Sequence, residues 1–359
     1  MVGNLYVHFP FCRRKCSYCA LHSRAGSTPA ERDNYVDRIA RAIASEPLLK
    51  RPCRTIYFGG GSPGMCNLTK LQGALEPLVD AATEFSVELN PADVSRENLR
   101  RLKALGVNRI SMGLQSLDDN ILRDMRRNYT FDEAEKAFAL IKEHFDNAGI
   151  DLIVGYPGET SAIIPRLQCL ARWKLKHCSV YSLILEENSI LAKTIRTTTA
   201  GTHSSLPDDD TVLNRIAAIS RFLHDELGLE RYEISNYATP GAECRHNLAT
   251  WLGEDYLGFG DGACGRIGRQ RTRNYWGQTP ELAYGLSPEI ETVSEEQDEI
   301  ERRIFALRTK YGLDCAAHPS WCKQLDVFVD KGLLTRNATI YRLTERGMEV
   351  CDSILAQLV

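Results

Sequence analysis

The chain lacks several features that would place it in other protein classes. No apolar run approaches the roughly 18 residues that a membrane-spanning helix needs, and the N-terminus lacks the basic start and long apolar stretch of a signal peptide. Basic residues are not in excess, because 44 Lys and Arg face 47 Asp and Glu for a net charge of −3. We therefore expect a cytoplasmic protein with no nucleic-acid partner and at most peripheral membrane contact.

Internal repeats and low-complexity tracts are also absent. The 359 residues are 43% hydrophobic and 25% charged, the composition of an ordinary globular protein. A core of useful size and about two domains, at roughly 150 residues each, are expected.

Cysteine, in contrast, is abundant, with 12 residues. In a reducing compartment thiols or metal ligands are more common than disulfides. Three of the cysteines, Cys12, Cys16 and Cys19, fall within eight residues, and the other nine are spread singly. The isolated ones are expected to be small buried hydrophobes.

From residue 4 to about 185, short apolar runs alternate with segments of helical period. Strand–helix units in series predict a parallel sheet, either a partial barrel or a doubly wound sheet, with ligands beyond the carboxyl ends of the strands. The predicted strands are Leu5–Phe9, Thr55–Phe58, Phe85–Leu89, Arg109–Gly113, Ile150–Gly155 and Ser179–Leu185.

The helical segments carry recognisable end signals. Phe131–Asn147 begins after Thr130 with a capping box to Glu133, and a second helix begins at Ser95 and stops at Gly106. Further helices are predicted at Val212–Leu227, Glu295–Arg308 and Leu325–Lys331, and loops at 197–202 and 207–210.

Three regions are expected: a core at 1–190, an irregular α+β extension at 191–286, and a small winged-helix-like domain at 287–359. From Glu289 onward 9 Lys and Arg face 13 Asp and Glu. An acidic domain binds phosphates poorly, so a structural or docking role is favoured over DNA binding.

The three clustered thiols are spaced C-x3-C-x2-C at the end of the first predicted strand. A tetrahedral zinc site would require a fourth ligand, which His8 or His22 could supply. An iron–sulfur cube usually takes four cysteines, so three would leave one iron open for another ligand.

The cysteine motif, an aromatic residue before the third cysteine, and a second strand ending in Gly59-Gly-Gly-Ser-Pro63 together resemble the radical S-adenosylmethionine superfamily. The resemblance implies that Cys12, Cys16 and Cys19 hold a [4Fe–4S] cluster whose fourth iron binds S-adenosylmethionine. In that family the reduced cluster splits the sulfonium to give a 5′-deoxyadenosyl radical. The implied fold is α/β, a partial (β/α)6 barrel followed by the extension and the C-terminal domain.

A closer resemblance, carried by segments such as Tyr57-Phe-Gly-Gly-Gly-Ser-Pro63, Asn108-Arg-Ile-Ser-Met-Gly-Leu-Gln115 and Tyr232-Glu-Ile-Ser-Asn-Tyr-Ala238, is to the coproporphyrinogen-dehydrogenase-like branch. This branch contains the oxygen-independent coproporphyrinogen oxidases and the HemW-type heme chaperones. By position in its motifs, cofactor contacts would fall on Tyr6, Tyr18, Gly60, Gly61, Ser62, Glu88, Gln115, Arg127 and Asp151.

Three features favour the chaperones. The oxidases resemble C-x3-C-x2-C-x-C, whereas Leu21 stands at the fourth cysteine position, and their long N-terminal arm is absent before Cys12. The chaperones resemble H-N-x-x-Y-W, associated with heme binding, and this chain has His246-Asn-Leu-Ala-Thr-Trp251 with Thr250 in place of Tyr. His246 would ligate heme iron or hydrogen-bond locally, and Cys244 or Cys264 is the alternative iron ligand.

One further motif, Gly260-Asp-Gly-Ala-Cys-Gly265, has the spacing G-x-G-x-x-G of dinucleotide-binding loops. Four arginines follow it instead of an apolar helix, so the dinucleotide interpretation fails. The arginines of 266–273 would pair with porphyrin propionates or form a solvated basic loop.

The leading hypothesis is a heme chaperone that binds a cluster, S-adenosylmethionine and heme as cargo, and passes heme to an acceptor protein. An electron donor such as flavodoxin or ferredoxin is expected as a further partner. The alternatives are an oxygen-independent coproporphyrinogen III oxidase that acts on a porphyrinogen, and a zinc-stabilised binding protein.

Overall fold

The computed structural model describes residues 1–160, 163–197, 206–275, 287–317 and 319–358. Most of the predicted loop at 197–202 therefore lies outside the described residues. Across the described ranges, no helix combines the length and the apolar character that crossing a bilayer requires.

The strands belong to one large sheet and three small ones. In chain order they are β1 (Asn4–Phe9), β2 (Phe11–Cys12), β3 (Arg24–Ala25), β4 (Thr55–Gly60), β5 (Glu84–Leu89), β6 (Arg109–Gln115), β7 (Asn147–Val154), β8 (His177–Ser182), β9 (Glu230–Arg231), β10 (Asn236–Ala238), β11 (Leu257–Phe259), β12 (Cys264–Ile267), β13 (Gln270–Tyr275), β14 (Ser287–Thr292), β15 (Leu313–Asp314), β16 (Leu334–Asn337) and β17 (Ile340–Leu343).

The helices alternate with the strands of the core and dominate the C-terminal part. They are α1 (Pro29–Ser45), α2 (Gln72–Leu75), α3 (Arg96–Ala104), α4 (Asp119–Asp124), α5 (Phe131–His144), α6 (Ile163–Leu167), α7 (Ile190–Thr197), α8 (Asp209–Asp225), α9 (Arg245–Trp251), α10 (Glu295–Leu307), α11 (Pro319–Asp330), α12 (Glu345–Glu349) and α13 (Cys351–Leu355).

The large sheet has the order β11-β1-β4-β5-β6-β7-β8-β10-β9. All pairs from β11 to β8 are parallel, and β10 and β9 return antiparallel. The six predicted strands, β1, β4, β5, β6, β7 and β8, lie side by side in chain order, whereas a doubly wound sheet reverses its order at a switch point. Of the two predicted architectures, the partial barrel is confirmed.

Capping residues set the helix starts, and the predicted starts at Ser95 and Thr130 are confirmed. Thr130 and Glu133 form a capping box at α5, and Thr28 and Glu31 form one at α1, which was not predicted. The Ser95 hydroxyl accepts from the Asn98 N–H at the start of α3. These bonds satisfy N–H groups that a helix leaves unpaired in its first turn.

The predicted end of the helix at Phe131–Asn147 is wrong, because α5 stops at His144. Phe145 follows with an extended backbone and is buried, and Asn147 already begins β7. Three strands of the large sheet, β9, β10 and β11, were not predicted, since two or three residues are too few to show a period.

The C-terminal elements have a hydrophobic core of their own, which includes Leu307, Leu325, Tyr341, Leu343 and Ile354. The predicted order of helix, helix, strand pair and helix is present, and the short strand β15 joins the pair to give the order β15-β17-β16.

Candidate cofactor site at the carboxyl ends of the strands

Polar side chains from consecutive strands share the inner face of the barrel. The register pairs Glu88 of β5 with Ser111 of β6, and Asp151 of β7 with Ser179 of β8. Because strand residues alternate between the two faces of a sheet, the apolar neighbours Val87 and Ile150 point to the helix-covered side. Four strands therefore present polar groups to the same face of the sheet.

The three clustered cysteines lie on the cysteine loop, residues 12–25, whose two ends pair as β2 and β3. The Lys15 ammonium crosses this loop and donates to the Leu21 carbonyl and to the Ser23 hydroxyl, both at 2.7 Å. The thiols of Cys12, Cys16 and Cys19 are free and half-buried. The loop is thus folded back on itself at the carboxyl end of β1.

Three hydrogen bonds to the neighbouring strand–helix unit anchor the middle of the cysteine loop. Arg127 Nη1 lies 3.2 Å from the Sγ of Cys16. The Ser17 hydroxyl donates to the Asp124 carbonyl at 2.9 Å, and the Ser17 N–H donates to the Met125 carbonyl at 3.1 Å. The end of α4 therefore fixes where Cys16 stands relative to the barrel.

The three thiols of the cysteine loop are soft donors of the kind that an iron–sulfur cluster takes. Gly61 packs against the start of this loop, because a Cβ atom there would lie 2.6 Å from the Phe11 carbonyl oxygen and 3.0 Å from the Cys12 Sγ. Burial raises the pKa of the Cys12 and Cys19 thiols, which therefore need a metal partner to ionise readily.

A site for one metal ion, such as the zinc site considered from the sequence, needs several donor side chains close together. Within the described ranges, no three or more His, Cys, Asp or Glu side chains are gathered closely enough to hold one metal ion.

Glu88 is held at the mouth of the barrel by two donors. The Tyr57 hydroxyl donates to Glu88 Oε1 at 2.7 Å, and the Gly60 N–H donates to Oε2 at 3.2 Å. Burial, with the neighbouring carboxylate of Asp151, raises the pKa of Glu88 to about 7. Burial also raises the pKa of Asp151, whose Oδ1 accepts from the Ser111 hydroxyl at 3.0 Å. Two carboxyl groups at the ends of different strands thus face the same space.

Gln115 ends β6 in a strained conformation. Its φ is +68°, a left-handed value that is uncommon outside glycine, and the β6–β7 register shifts between Gly113 and Gln115. Arg127 Nη2 donates to the Gly113 carbonyl at 3.0 Å beside this irregularity. Non-glycine residues with such values cluster at binding sites, which is consistent with the predicted contact.

The other predicted cofactor residues occupy three positions. Tyr18 lies on the cysteine loop with its hydroxyl 3.4 Å from Arg127 Nη1. Ser62 is buried after β4 and hydrogen-bonds Asp93. Tyr6 lies deeper in the barrel, where its hydroxyl is 2.9 Å from His8 Nδ1.

His246 is not at the mouth with these residues. It lies on α9 at the amino end of the strands and is 6% exposed, with its ring stacked on Tyr57 at 5.2 Å between centroids. Both Glu84 oxygens accept backbone N–H groups at the start of α9, from Arg245 at 3.0 Å and His246 at 3.1 Å. Helix α9 therefore plugs the end of the barrel opposite the cysteine loop.

The hydrogen bonds of His246 define its tautomer. Thr55 donates its hydroxyl proton to Asn4 Oδ1 at 2.9 Å, so at 2.8 Å the same oxygen accepts from His246 Nδ1. Burial, with the positive charges of Arg109 and Arg54, lowers the pKa of His246 to about 3. His246 is therefore a neutral imidazole whose Nε2 keeps its lone pair.

The alternative iron ligands differ in accessibility. Cys244 is fully buried, and burial raises the pKa of its thiol to about 12. Cys264, on β12, is the exposed one among the 12 cysteines.

Two of the four arginines of 266–273 are paired with carboxylates. Arg266 donates to Asp298 of α10 at 2.6 Å, and Arg271 pairs with Glu301 of the same helix. Arg273 lies over the Tyr275 ring at 5.4 Å. Asp298 and Glu301 of α10, about thirty residues further along the chain, thus neutralise two of the four arginines.

Several residues of the site were not predicted, among them Tyr57, Ser111 and Lys15. Ser111 stands four positions before the predicted Gln115 on β6, so the period of two could have found it. Nothing in the sequence distinguishes Lys15 from the exposed arginines beside it.

Comparison with known proteins gives consistent results. The family model of the radical SAM superfamily matches residues 6–167. A heme chaperone HemW of Bacillus subtilis is 32% identical, with 99% of this chain and 100% of that protein covered. A heme chaperone HemW of Synechocystis is 33% identical, with 88% and 80% covered.

A solved structure resembles the whole fold. Coproporphyrinogen III oxidase (HemN) from Escherichia coli, a radical SAM enzyme, matches with a TM-score of 0.82 at 23% identity, covering 99% of this chain and 89% of that one. At this identity the match shows that the two chains share a fold.

Proposed function

The chain belongs to the HemW-like branch of the radical S-adenosylmethionine superfamily, and on that premise we propose that it binds heme and passes it to an acceptor protein. The similarity to heme chaperones from end to end, including α9 and the C-terminal elements, carries this proposal. The proposed partners are heme, an acceptor protein and a one-electron donor for the cluster.

In this proposal Cys12, Cys16 and Cys19 hold the [4Fe–4S] cluster that the family implies. The three thiols on one folded loop, and the close packing of Gly61 against the start of that loop, support the assignment. When bound, the cluster and S-adenosylmethionine supply one-electron reductive chemistry. The chain's part is to hold the loop through Arg127 and Ser17 and to leave one side of it open to the barrel.

Tyr6, Tyr18, Gly60, Gly61, Ser62, Glu88, Gln115, Arg127 and Asp151 are the proposed S-adenosylmethionine contacts. Glu88 and Asp151 are acceptors suited to the ribose hydroxyls and the ammonium group of that cofactor. Because the pKa of Glu88 is raised to about 7, its carboxyl group is partly protonated near neutral pH and can also donate a hydrogen bond.

We propose His246 as the heme iron ligand. Neutral imidazole with a free Nε2 and a donated Nδ1–H is the form in which histidine binds metals, and Thr55 fixes that form here. Since His246 is 6% exposed, ligation requires α9 to move away from Glu84.

A heme titration of the anaerobically purified, cluster-loaded protein tests the function. We expect a one-to-one complex with a Soret band that shifts or weakens in His246→Ala. His177→Ala is the matched control, because His177 is a second buried histidine of the barrel, bonded to Tyr232 at 2.8 Å. Transfer of the bound heme to an apo-hemoprotein, followed by the acceptor's spectrum, completes the test.

The same sample should form no protoporphyrinogen from coproporphyrinogen under reducing conditions with S-adenosylmethionine. Turnover of coproporphyrinogen together with no measurable heme affinity would make the oxidase alternative correct. Stoichiometric zinc without iron or sulfide after anaerobic reconstitution would remove the cluster from the proposal.

A further inference from the structure

The turn Gly260-Asp261-Gly262, between β11 and β12, has no part in the proposed cofactor contacts, yet it lies against the cysteine loop. Asp261 Oδ2 is 2.9 Å from His22 Nε2. His22 follows Cys19 by three residues, and the two partners are more than 230 positions apart in sequence. The turn therefore meets the part of the loop just beyond the third thiol.

Gly262 brings the turn into contact with the His22 side chain. Its φ is +86°, and a Cβ atom added there would lie 2.7–2.8 Å from three carbon atoms of His22, the Cβ, Cγ and Cδ2. Atoms at such distances overlap, so any larger residue would push His22 away. Glycine is required both by the backbone conformation and by this contact.

The main chain of His22 is held from the other side. Its carbonyl oxygen accepts a bond from His8 Nε2 of β1 at 2.7 Å. Tyr35 links the two sides, because its hydroxyl donates to the His8 carbonyl at 2.6 Å and accepts from the Asp261 N–H at 3.0 Å. His22 is thus fixed between the first strand and the turn.

We infer that Asp261 and Gly262 are positioning residues for the cysteine loop, which they clamp on the side beyond Cys19. The inference rests on the proposed cluster. Arg127 and Ser17 anchor the loop near Cys16, and without the turn its C-terminal side would rest on β3 and His8. The His22 and Asp261 side chains are 40% and 26% exposed, so charge attraction between them contributes little. The contact acts mainly by fixing the orientation of the His22 ring.

The test is the rate at which a chelator removes iron from the reconstituted cluster under anaerobic conditions. We expect Asp261→Ala and Gly262→Ala to release iron about tenfold faster than the wild type, the factor that corresponds to 1.4 kcal/mol. The EPR line shape of the reduced cluster should change with it. Asp261→Asn keeps an oxygen acceptor for His22 and should restore both properties towards wild-type values.

Two controls separate this role from a general loss of stability. Gly241→Ala introduces the same backbone strain, since Gly241 also has φ +86°, but its Cβ would meet nothing within 4 Å. Asp255→Ala removes a carboxylate that accepts from the Gly268 N–H in the adjoining hairpin at 2.7 Å. Both should release iron at the wild-type rate.

Wild-type release rates and EPR spectra in Asp261→Ala and Gly262→Ala would overturn the clamp while leaving the cluster in place. Equal acceleration in Gly262→Ala and Gly241→Ala would overturn it too, by assigning the effect to backbone strain. A wild-type protein that forms no cluster would overturn this inference together with the proposed cluster.

Discussion

The Nη1 of Arg127 lies 3.2 Å from the Sγ of Cys16. Arg127 is fixed in this position, because its Nε donates to the Tyr129 hydroxyl at 2.8 Å and its Nη2 to the Gly113 carbonyl at 3.0 Å. A rigid positive charge therefore stands beside one of the three proposed cluster ligands.

Arg127→Gln should make the cluster harder to reduce. Reduction adds negative charge, and a nearby cation that donates to a cluster thiolate favours the reduced form. We expect the potential to fall by about 60 mV, which for one electron corresponds to a factor of ten. Redox titration followed by EPR measures it. Arg123→Gln, on the exposed side of α4, should leave the potential unchanged.

Replacing Cys12, Cys16 or Cys19 by Ala should each abolish the brown absorbance and the iron and sulfide content, because three thiols are the whole ligand set that the loop offers. Cys322→Ala and Cys264→Ser are the controls. Cys264 is the more demanding one, since it is exposed and close in sequence to the turn at Asp261. Loss of iron in Cys264→Ser would contradict the assignment.

Glu88 should make the stability of the apoprotein depend on pH. Its pKa is raised from 4.5 to about 7 by burial and by Asp151, so the folded state binds its proton more tightly than the unfolded state. The stabilisation is complete below pH 4.5 and is lost as the pH rises through 7. At 1.36 kcal/mol per unit this amounts to at most about 3 kcal/mol.

Urea unfolding at pH 5 and pH 8 measures this effect. Glu88→Gln has no titrating group at this position, so its stability relative to the wild type should rise between the two pH values. Glu143→Gln, at an exposed residue on α5, should show no such change. A constant difference between Glu88→Gln and wild type across the range would contradict the raised pKa.

Removing the acceptors at the mouth of the barrel should weaken S-adenosylmethionine binding. A lost bond to a polar ligand costs about 1–3 kcal/mol, roughly tenfold to a hundredfold in affinity. We expect this loss in Glu88→Ala and in Asp151→Ala, measured by calorimetry on the cluster-loaded protein. Unchanged affinity in both variants would show that these residues do not contact the cofactor.

Thr55→Val tests the proposed form of His246. Valine keeps the shape of threonine but cannot accept from His246 Nδ1, so the tautomer with a free Nε2 loses its support. We expect weaker heme binding and a shifted Soret band, with the heme-free protein still folded by circular dichroism. A heme spectrum identical to that of the wild type would separate His246 from iron ligation.

The sequence predicted those elements of the fold that depend on residues close together in the chain. The six strands were found because each is a short apolar run, and the starts of α3 and α5 because Ser95 and Thr130 cap them. The end of α5 was missed because Phe145 continues the helical stripe but is buried from an extended backbone. Its packing, and not its spacing, decided the outcome.

The candidate site also combines local features, which the sequence predicts, with long-range contacts, which it does not. The cysteine spacing is local and was predicted, but the burial of His246 depends on Glu84 and Thr55, more than 160 positions away. The pairing of Arg271 with Glu301 was missed for the same reason, because the two residues are thirty positions apart in sequence. Contacts between distant segments leave no trace in a single sequence.

The pairing of β1 with β11, which sets Leu5 beside Leu257, has a consequence for synthesis of the chain. The first strand to leave the ribosome acquires its second neighbour only after about 250 further residues have been translated. Asp261 emerges later still, so during translation the three thiols stand on a half-supported segment. On the proposed assignment, the cluster would therefore be loaded once the polypeptide is complete.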